Sequence, residues 1–448
     1  MSTDGTGEST AKTLTLNRQI LRLSLPALGA LVAEPLFLIT NTAMVGHLGV
    51  ESLAALGIAS ALLQTAIGLM IFLAYSTTPQ VARRVGAGDT AGAVQAGIGG
   101  IWLALALGLI LIVIGWLLAG PVVAAFGADA AVRGAAERYW QLSLWGIPAM
   151  LGVLAASGIL RGLQNTIVPL WIAGIGFAVN AAMNAALIYG AGLGLDGSAL
   201  GTVATQWLMF AAYLAVLVRI ARQNQASWFP QLGGIIRTAG LGGWLFLRTL
   251  ALRIATLVPL VVVSAMGTTE LAGYQLISTL FTAAAFALES LEIAGQALTG
   301  KALGVGDTSE VRLLLARLLR WGCAFGALLG ALVLVLSPWL GTWLSGSSVL
   351  GELLKPALAV LALAMPLGGL AFMLDGVLIG AGDARFLALA GVANLAILAT
   401  LIWLVSLSGQ GGASGLAWLT AAYFIGYILA RFVTLFARSR GTKWMHLH

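Results

Sequence analysis

Long apolar runs, separated by short polar breaks, recur from one end of the chain to the other. They fall near 18–46, 51–79, 91–118, 136–161, 165–190, 195–221, 241–266, 270–300, 308–338, 352–380, 385–407 and 413–437. Each matches or exceeds the roughly 20 residues that a helix needs to cross bilayer hydrocarbon. No break is long enough to fold as a separate soluble domain. The pattern predicts an all-α polytopic membrane protein with twelve transmembrane helices. Composition agrees: 60% of the 448 residues are hydrophobic and only 9% charged, with a mean hydropathy of +0.98. A soluble domain carries about a quarter charged residues.

The net charge of +7 is not a nucleic-acid signal, because its distribution follows the predicted topology. Lys12, Arg18, Arg22, Arg83, Arg84, Arg161, Arg219, Arg222, Arg237, Lys301, Arg312, Arg317, Arg320, Arg385, Arg431, Arg438, Arg440 and Lys443 fall on one side of the spans, whereas the opposite loops offer Arg133, Arg138 and Lys355. The positive-inside rule then places both termini in the cytoplasm, as an even helix count requires. The first 15 residues are rich in Ser, Thr and Gly and read as a short disordered tail. The first apolar run lacks the short core and cleavage site of a removable signal, so it stays as helix 1. Cys323, the single cysteine, excludes internal disulfides and reads as a small packing residue.

One internal offset keeps returning. Gly49, Leu53, Ala54 and Ser60 match Gly267, Leu271, Ala272 and Ser278; RRVGAGDT (83–90) matches KALGVGDT (301–308); and Pro148, Gly158, Leu160 and Gly162 match Pro366, Gly376, Leu378 and Gly380, all 218 residues apart. The chain therefore divides into two six-helix bundles, 18–221 and 241–437, joined by a linker at 222–240, with tails at 1–17 and 438–448. An even helix number gives both bundles one orientation, hence a pseudo-two-fold axis along the membrane normal and a cargo path between the halves. The GxGDT loops follow membrane helices rather than strands, so a phosphate site is improbable. Their glycines suit tight turns, and Asp89 and Asp307 suit helix caps.

Few ionisable groups lie within the spans, and such groups are functional candidates by default. Glu34, in LVAEPLFLITNTAMVGHLG (31–49), lies near mid-membrane at about 1.5 Å of rise per residue, and the adjoining Pro35 weakens the local helix ladder. It reads either as a proton switch or as a neutral Glu hydrogen-bonded for packing. Glu289 and Glu292 share a helix face. Arg248 and Arg253 enter apolar surroundings, Arg248 reading as a snorkelling side chain. Gln64, Gln206, Tyr274 and Gln275 either line a cargo path or bond between helices. The histidines are His47, His446 and His448, and no histidine–carboxylate set or nucleophile pair offers catalysis a foothold. The chain reads as no enzyme.

The paired six-helix halves, LSLPALG (23–29), TAMVGHLG (42–49) and the repeated GxGD loops resemble the MATE (multidrug and toxic compound extrusion) family. AEPLFLITNTAMVGHLG (33–49), FLRTLALRIA (246–255) and GQALTGKALGVGD (295–307) resemble its DinF-like branch. The resemblance covers essentially the whole chain. It implies a monomeric, multi-pass protein of a cell inner membrane or plasma membrane, its two halves forming a V, without cofactor. It further implies export of organic, often cationic or amphipathic compounds in exchange for H⁺ or Na⁺. A lipid-linked precursor flippase of the same superfamily and a major-facilitator transporter are the alternatives. Relatives carry an aspartate where this chain has Asn41, and an Asn–Asp pair where it has Asn180 and Asn184. The resemblance places these three on the substrate path, and leaves proton or cation coupling to Glu34, Asp375 and Glu289. Asp375 and Glu289 are also the implied Na⁺ ligands, with ion pairing to Lys301 or Arg385 as the structural alternative.

Overall fold

A computed structural model of the chain describes residues 4–229, 232–345 and 348–445. Residues 230–231 of the expected linker and 446–448 of the expected C-terminal tail, with His446 and His448, lie outside them. Among the described residues all regular structure is helical. The first part of the chain forms α1 (Asp4–Gly46), α2 (Val50–Leu69), α3 (Phe72–Gly86), α4 (Thr90–Ala124), α5 (Ala130–Leu144), α6 (Ile147–Gly162), α7 (Ile167–Ala185) and α8 (Gly194–Gln223). The second forms α9 (Leu232–Met266), α10 (Thr268–Val305), α11 (Thr308–Ser345), α12 (Ser348–Gly380), α13 (Ala384–Leu407), α14 (Gly412–Thr420) and α15 (Ile428–Arg440). Wide π-helical turns extend α7 over Ala186–Gly190 and join α14 to α15 over Ala421–Tyr427.

Among the described residues eleven helices are long and apolar enough to cross a bilayer, or twelve where α5 and α6, bent by 49° at their junction, count as one span. This is a multi-span membrane protein. Two expectations need correction. The N-terminal segment is helical from Asp4 rather than disordered, and α9 begins at Leu232, inside the expected linker.

The chain packs as two compact units, one of residues 26–242 and the other of residues 1–25 and 243–448. The division falls at Pro26 within α1 and at the Gly242–Gly243 pair within α9, residues that weaken a helix ladder. In the N-terminal unit α6 is central, packing on α3, α4 and α8. In the C-terminal unit α12 takes that place, packing on α10, α11, α14 and α15. An aromatic set, Phe281, Tyr423, Phe424 and Tyr427, lies in the apolar core around α12.

The sequence repeat has a physical basis in how these central helices cross their neighbours. A Cβ on Gly158 would stand 2.2 Å from Thr77 Oγ1 and 2.9 Å from the Ala74 carbonyl oxygen. A Cβ on Gly376 would stand 2.7 Å from the Glu292 carbonyl oxygen. Ala74 and Glu292 are themselves 218 residues apart, so both units close the same crossing with a glycine against backbone. The GxGDT loops are structural in both units. Gly88 and Gly306 turn through φ of 80° and 83°, Asp89 caps α4 through Gly92 N at 2.8 Å, and Asp307 accepts from the N–H groups of Ser309 and Glu310, each at 2.9 Å.

Backbone cannot move aside as a flexible side chain can. Gly376→Val and Gly158→Val are therefore each expected to cost about 1–3 kcal/mol through overpacking, lowering the midpoint of thermal unfolding in detergent. Gly46→Ala, where a Cβ meets nothing within 4 Å, is the control, and unchanged midpoints for both valine variants would refute the crossing argument.

Candidate functional site

Polar side chains inside the spans gather into one cluster per unit. In the N-terminal unit Asn41 of α1 is 5% exposed, with Asn180 at 3% and Asn184 at 0% on successive turns of α7. Asn184 Nδ2 donates to Asn41 Oδ1 at 3.0 Å and to Asn180 Oδ1 at 3.1 Å. The Ser198 hydroxyl on α8 donates to Asn41 Oδ1 at 2.7 Å, and Asn180 Nδ2 donates to Thr202 Oγ1 at 3.4 Å. The Tyr139 hydroxyl of α5 reaches the same group. Gly201 makes room, since a Cβ there would meet Asn184 Oδ1 at 2.2 Å. The wide turn after α7 carries the Tyr189 hydroxyl onto the Met44 carbonyl of α1 at 2.6 Å, fixing the end of that helix. The cluster is an amide and hydroxyl network, buried and satisfied largely from within. Asn41, Asn180 and Asn184 thus bond to one another rather than line an open path.

The C-terminal unit holds charge instead. Asp375 of α12 is 2% exposed. Its Oδ2 accepts from Arg431 Nη2 of α15 and lies 3.1 Å from Arg248 Nη2 of α9. The Arg431 guanidinium also lies 5.9 Å from the Tyr427 ring centroid, a geometry that favours a cation. Glu292 of α10 is 3% exposed and accepts from Gln296 Nε2 at 3.2 Å. A small cavity beside Asp375 is lined by Arg248, Arg431 and Asn394, and Asn394 Oδ1 has no hydrogen-bond partner. Nearby, Asp383 and Arg438 form a two-pronged ion pair at 2.7 and 3.3 Å.

Several sequence expectations change here. Arg248 is 6% exposed and paired, so it does not snorkel. Arg431, counted with the cytoplasmic charges, reaches into the unit. Asp375 pairs with neither Lys301 nor Arg385, and Arg385 instead lies 5.8 Å from the Trp244 ring. The Na⁺ alternative at Asp375 and Glu289 loses its first ligand, because two guanidinium charges already face Asp375 and repel a third cation. Tyr274, 2% exposed, sits within the apolar core rather than on a path. Glu34, Gln64 and Gln275 are exposed, and Gln206 and Glu289 are half-buried. Reading the sequence missed Ser198, Thr202, Gln296 and the role of Arg431. An arginine inside GYILARFV (426–433) was the available signal for the last.

The MatE family model matches residues 26–186 and again 245–405, one copy for each half of the repeat. The chain belongs to the MatE family. MatE proteins are membrane transporters, and this one shares its fold with a solved structure of the Vibrio cholerae MATE transporter VcmN in the bent form. That likeness has a TM-score of 0.87 and 20% identity, over 96% of this chain and 98% of that one. Protein DETOXIFICATION 44, chloroplastic, of Arabidopsis thaliana is 29% identical over 83% of this chain and 74% of its own length. The probable multidrug resistance protein NorM of Bradyrhizobium diazoefficiens is 27% identical over 93% and 90%.

The two clusters differ in what they lose when cut. Asp375→Asn leaves two buried guanidinium groups without their carboxylate and is expected to cost about 3–5 kcal/mol. Asn41→Leu strands the Ser198 hydroxyl and the Asn184 amide for about 1–3 kcal/mol. Thermal unfolding in detergent checks both, and an Asp375→Asn protein as stable as wild type would refute the ion-pair assignment.

Proposed function

We propose that this MatE protein is a secondary active exporter of organic, often cationic or amphipathic compounds, driven by H⁺ re-entry through alternating access. The multidrug resistance in the name of its NorM relative supports the cargo class. One observation carries the choice of ion: the polar cluster of the N-terminal unit is built of amides and hydroxyls, whereas the C-terminal unit buries carboxyl groups. Amides bind cargo or water but exchange no charge, so a transmembrane ion gradient acts on the carboxyl groups. With Asp375 held by Arg248 and Arg431, a proton rather than an alkali cation is the ion these groups can take up. Glu34, Asp375 and Glu289 are the coupling carboxyls proposed from the sequence, and Glu292 joins them on the strength of its burial. No cofactor enters this reading. The exporter works in a cell membrane with both termini on the cytoplasmic side.

Reconstitution into liposomes tests the reading with ethidium, a fluorescent organic cation. An imposed pH gradient is expected to drive its movement, and a Na⁺ gradient at equal pH is expected to leave it unmoved. Movement driven by Na⁺ alone would overturn proton coupling. Movement of a lipid-linked sugar without any movement of organic cations would favour a flippase.

A further inference from the structure

Helix α11 carries Arg312, Arg317 and Arg320 and then no charged residue from Trp321 to Leu340. Those 20 residues, at about 1.5 Å of rise each, match the roughly 30 Å of bilayer hydrocarbon. Trp321 and Trp339 stand near the two ends of the run, as aromatic side chains do at the two membrane–water interfaces. Arg320 therefore stands at the level of the lipid headgroups. A second helix brings charge to the same level. Trp321 Nε1 donates to Asn17 Oδ1 of α1 at 3.0 Å, and Leu16 and Gln19 of α1 border a small cavity with Leu314 of α11 and Lys301 of α10. Arg18 follows Asn17 directly in α1, as Arg320 precedes Trp321 in α11. Residues 1–25 pack with the C-terminal unit, so the whole arrangement lies within one unit.

The arginines face outward. Arg18, Arg22, Arg312 and Arg320 are exposed, and none of the four has an ion-pair partner among the described residues. The acids of the region, Asp307 and Glu310, sit at the start of α11, Glu310 about 15 Å along the helix from Arg320. Apolar surface continues both exposed faces into the hydrocarbon. Leu25 follows Arg18 and Arg22 on α1, and Ala324, Ala327 and Ala331 follow Arg320 at helical spacing on α11, all four exposed. Guanidinium groups at headgroup depth, above a shallow apolar track, match a phosphate that carries an acyl chain. We propose that the C-terminal unit holds an anionic phospholipid of the leaflet beside the start of α1, its phosphate on Arg18 and Arg320 and its chains along Leu25 and the alanine face of α11. Guanidinium forks pair with phosphate oxygens in two parallel hydrogen bonds, and basic sites between membrane helices hold acidic headgroups.

The internal repeat argues that these charges are there for recognition. Residues 218 positions before Arg312, Arg317 and Arg320 are Val94, Gly99 and Trp102, and α4, the counterpart of α11, carries no charged residue along its whole length. That helix crosses the membrane in the same direction without arginines. Neither packing nor topology therefore requires them on α11, and their cost there is offset by what they bind.

Native mass spectrometry of the detergent-purified full-length protein, titrated with dioleoyl phosphatidylglycerol or dioleoyl phosphatidylcholine, tests the site without any cargo. Wild type is expected to take up one phosphatidylglycerol at concentrations where phosphatidylcholine does not bind. The Arg18→Gln/Arg320→Gln double variant is expected to lose about 25-fold in phosphatidylglycerol affinity, and each single variant about fivefold. The single variants carry the test if the double variant does not fold. Arg133→Gln/Arg138→Gln, on the opposite loops, is expected to bind as wild type does. Glycerol 3-phosphate, which offers the phosphate without the chains, is expected neither to bind nor to compete. Equal uptake of the two lipids, unchanged phosphatidylglycerol affinity in the Arg18 and Arg320 variants, or an equal loss in Arg133→Gln/Arg138→Gln would overturn the proposal. Competition by glycerol 3-phosphate at the affinity of the lipid would overturn it in favour of a soluble phosphate ligand.

Discussion

A polar group inside a membrane span has no water to answer it, so another side chain must. This constraint orders the whole molecule. Backbone groups meet it by being helical, which is why the described residues contain long helices and little else. Side chains meet it by gathering, and the two units gather in different chemistries. Asn41, Asn180 and Asn184 exchange neutral hydrogen bonds with Ser198 and Thr202. Asp375 is answered by arginines reaching in from α9 and α15. The first arrangement has the same charge at any pH, and the second depends on a balance of charges.

The repeat makes that contrast informative. Gly158 against Ala74 and Gly376 against Glu292 are one crossing built twice, so the shared part is the scaffold and the unshared part is free to specialise. Ser157 stands in the N-terminal unit where Asp375 stands in the C-terminal unit, and Ala74 stands where Glu292 does. The charges of the second unit are additions to a scaffold that closes without them. The wide π turn at Ala421–Tyr427 belongs to the same specialisation, because it precedes Arg431 directly and brings the Tyr427 ring beneath its guanidinium. Such turns inside α-helices frequently mark functional positions.

The spans, their number, the repeat and the turn chemistry of the GxGDT loops were all legible in the sequence. Apolar length and charge asymmetry are local signals, and a constant offset survives in aligned glycines. Partner identity was far less legible. Arg248 read as a snorkelling side chain and Arg431 as a cytoplasmic charge because each lies within reach of a helix end by residue count. Which way such a side chain turns depends on whether a carboxylate waits inside, and Asp375 lies 127 residues from one and 56 from the other. Glu34 drew attention for the opposite reason. It is conspicuous within its own segment, yet it is exposed, whereas Glu292, marked in the sequence by no more than a helix face shared with Glu289, is buried. Local context shows that a polar residue must be answered; only the fold shows by what.

What remains is to ask which of these groups an ion gradient can move. An amide cannot change charge, which removes the network around Asn41 from the exchange itself and leaves it to positioning. A carboxylate clamped by two guanidinium groups resists neutralisation, because that would leave both cations uncompensated, so Asp375 takes up a proton only where a guanidinium group moves away from it. On the proton-driven reading proposed above, ion uptake falls to the buried carboxyl groups, which a membrane interior tolerates at least cost while they hold a proton. The same shortage of partners that makes a lone buried acid costly is what lets it take up and release a proton.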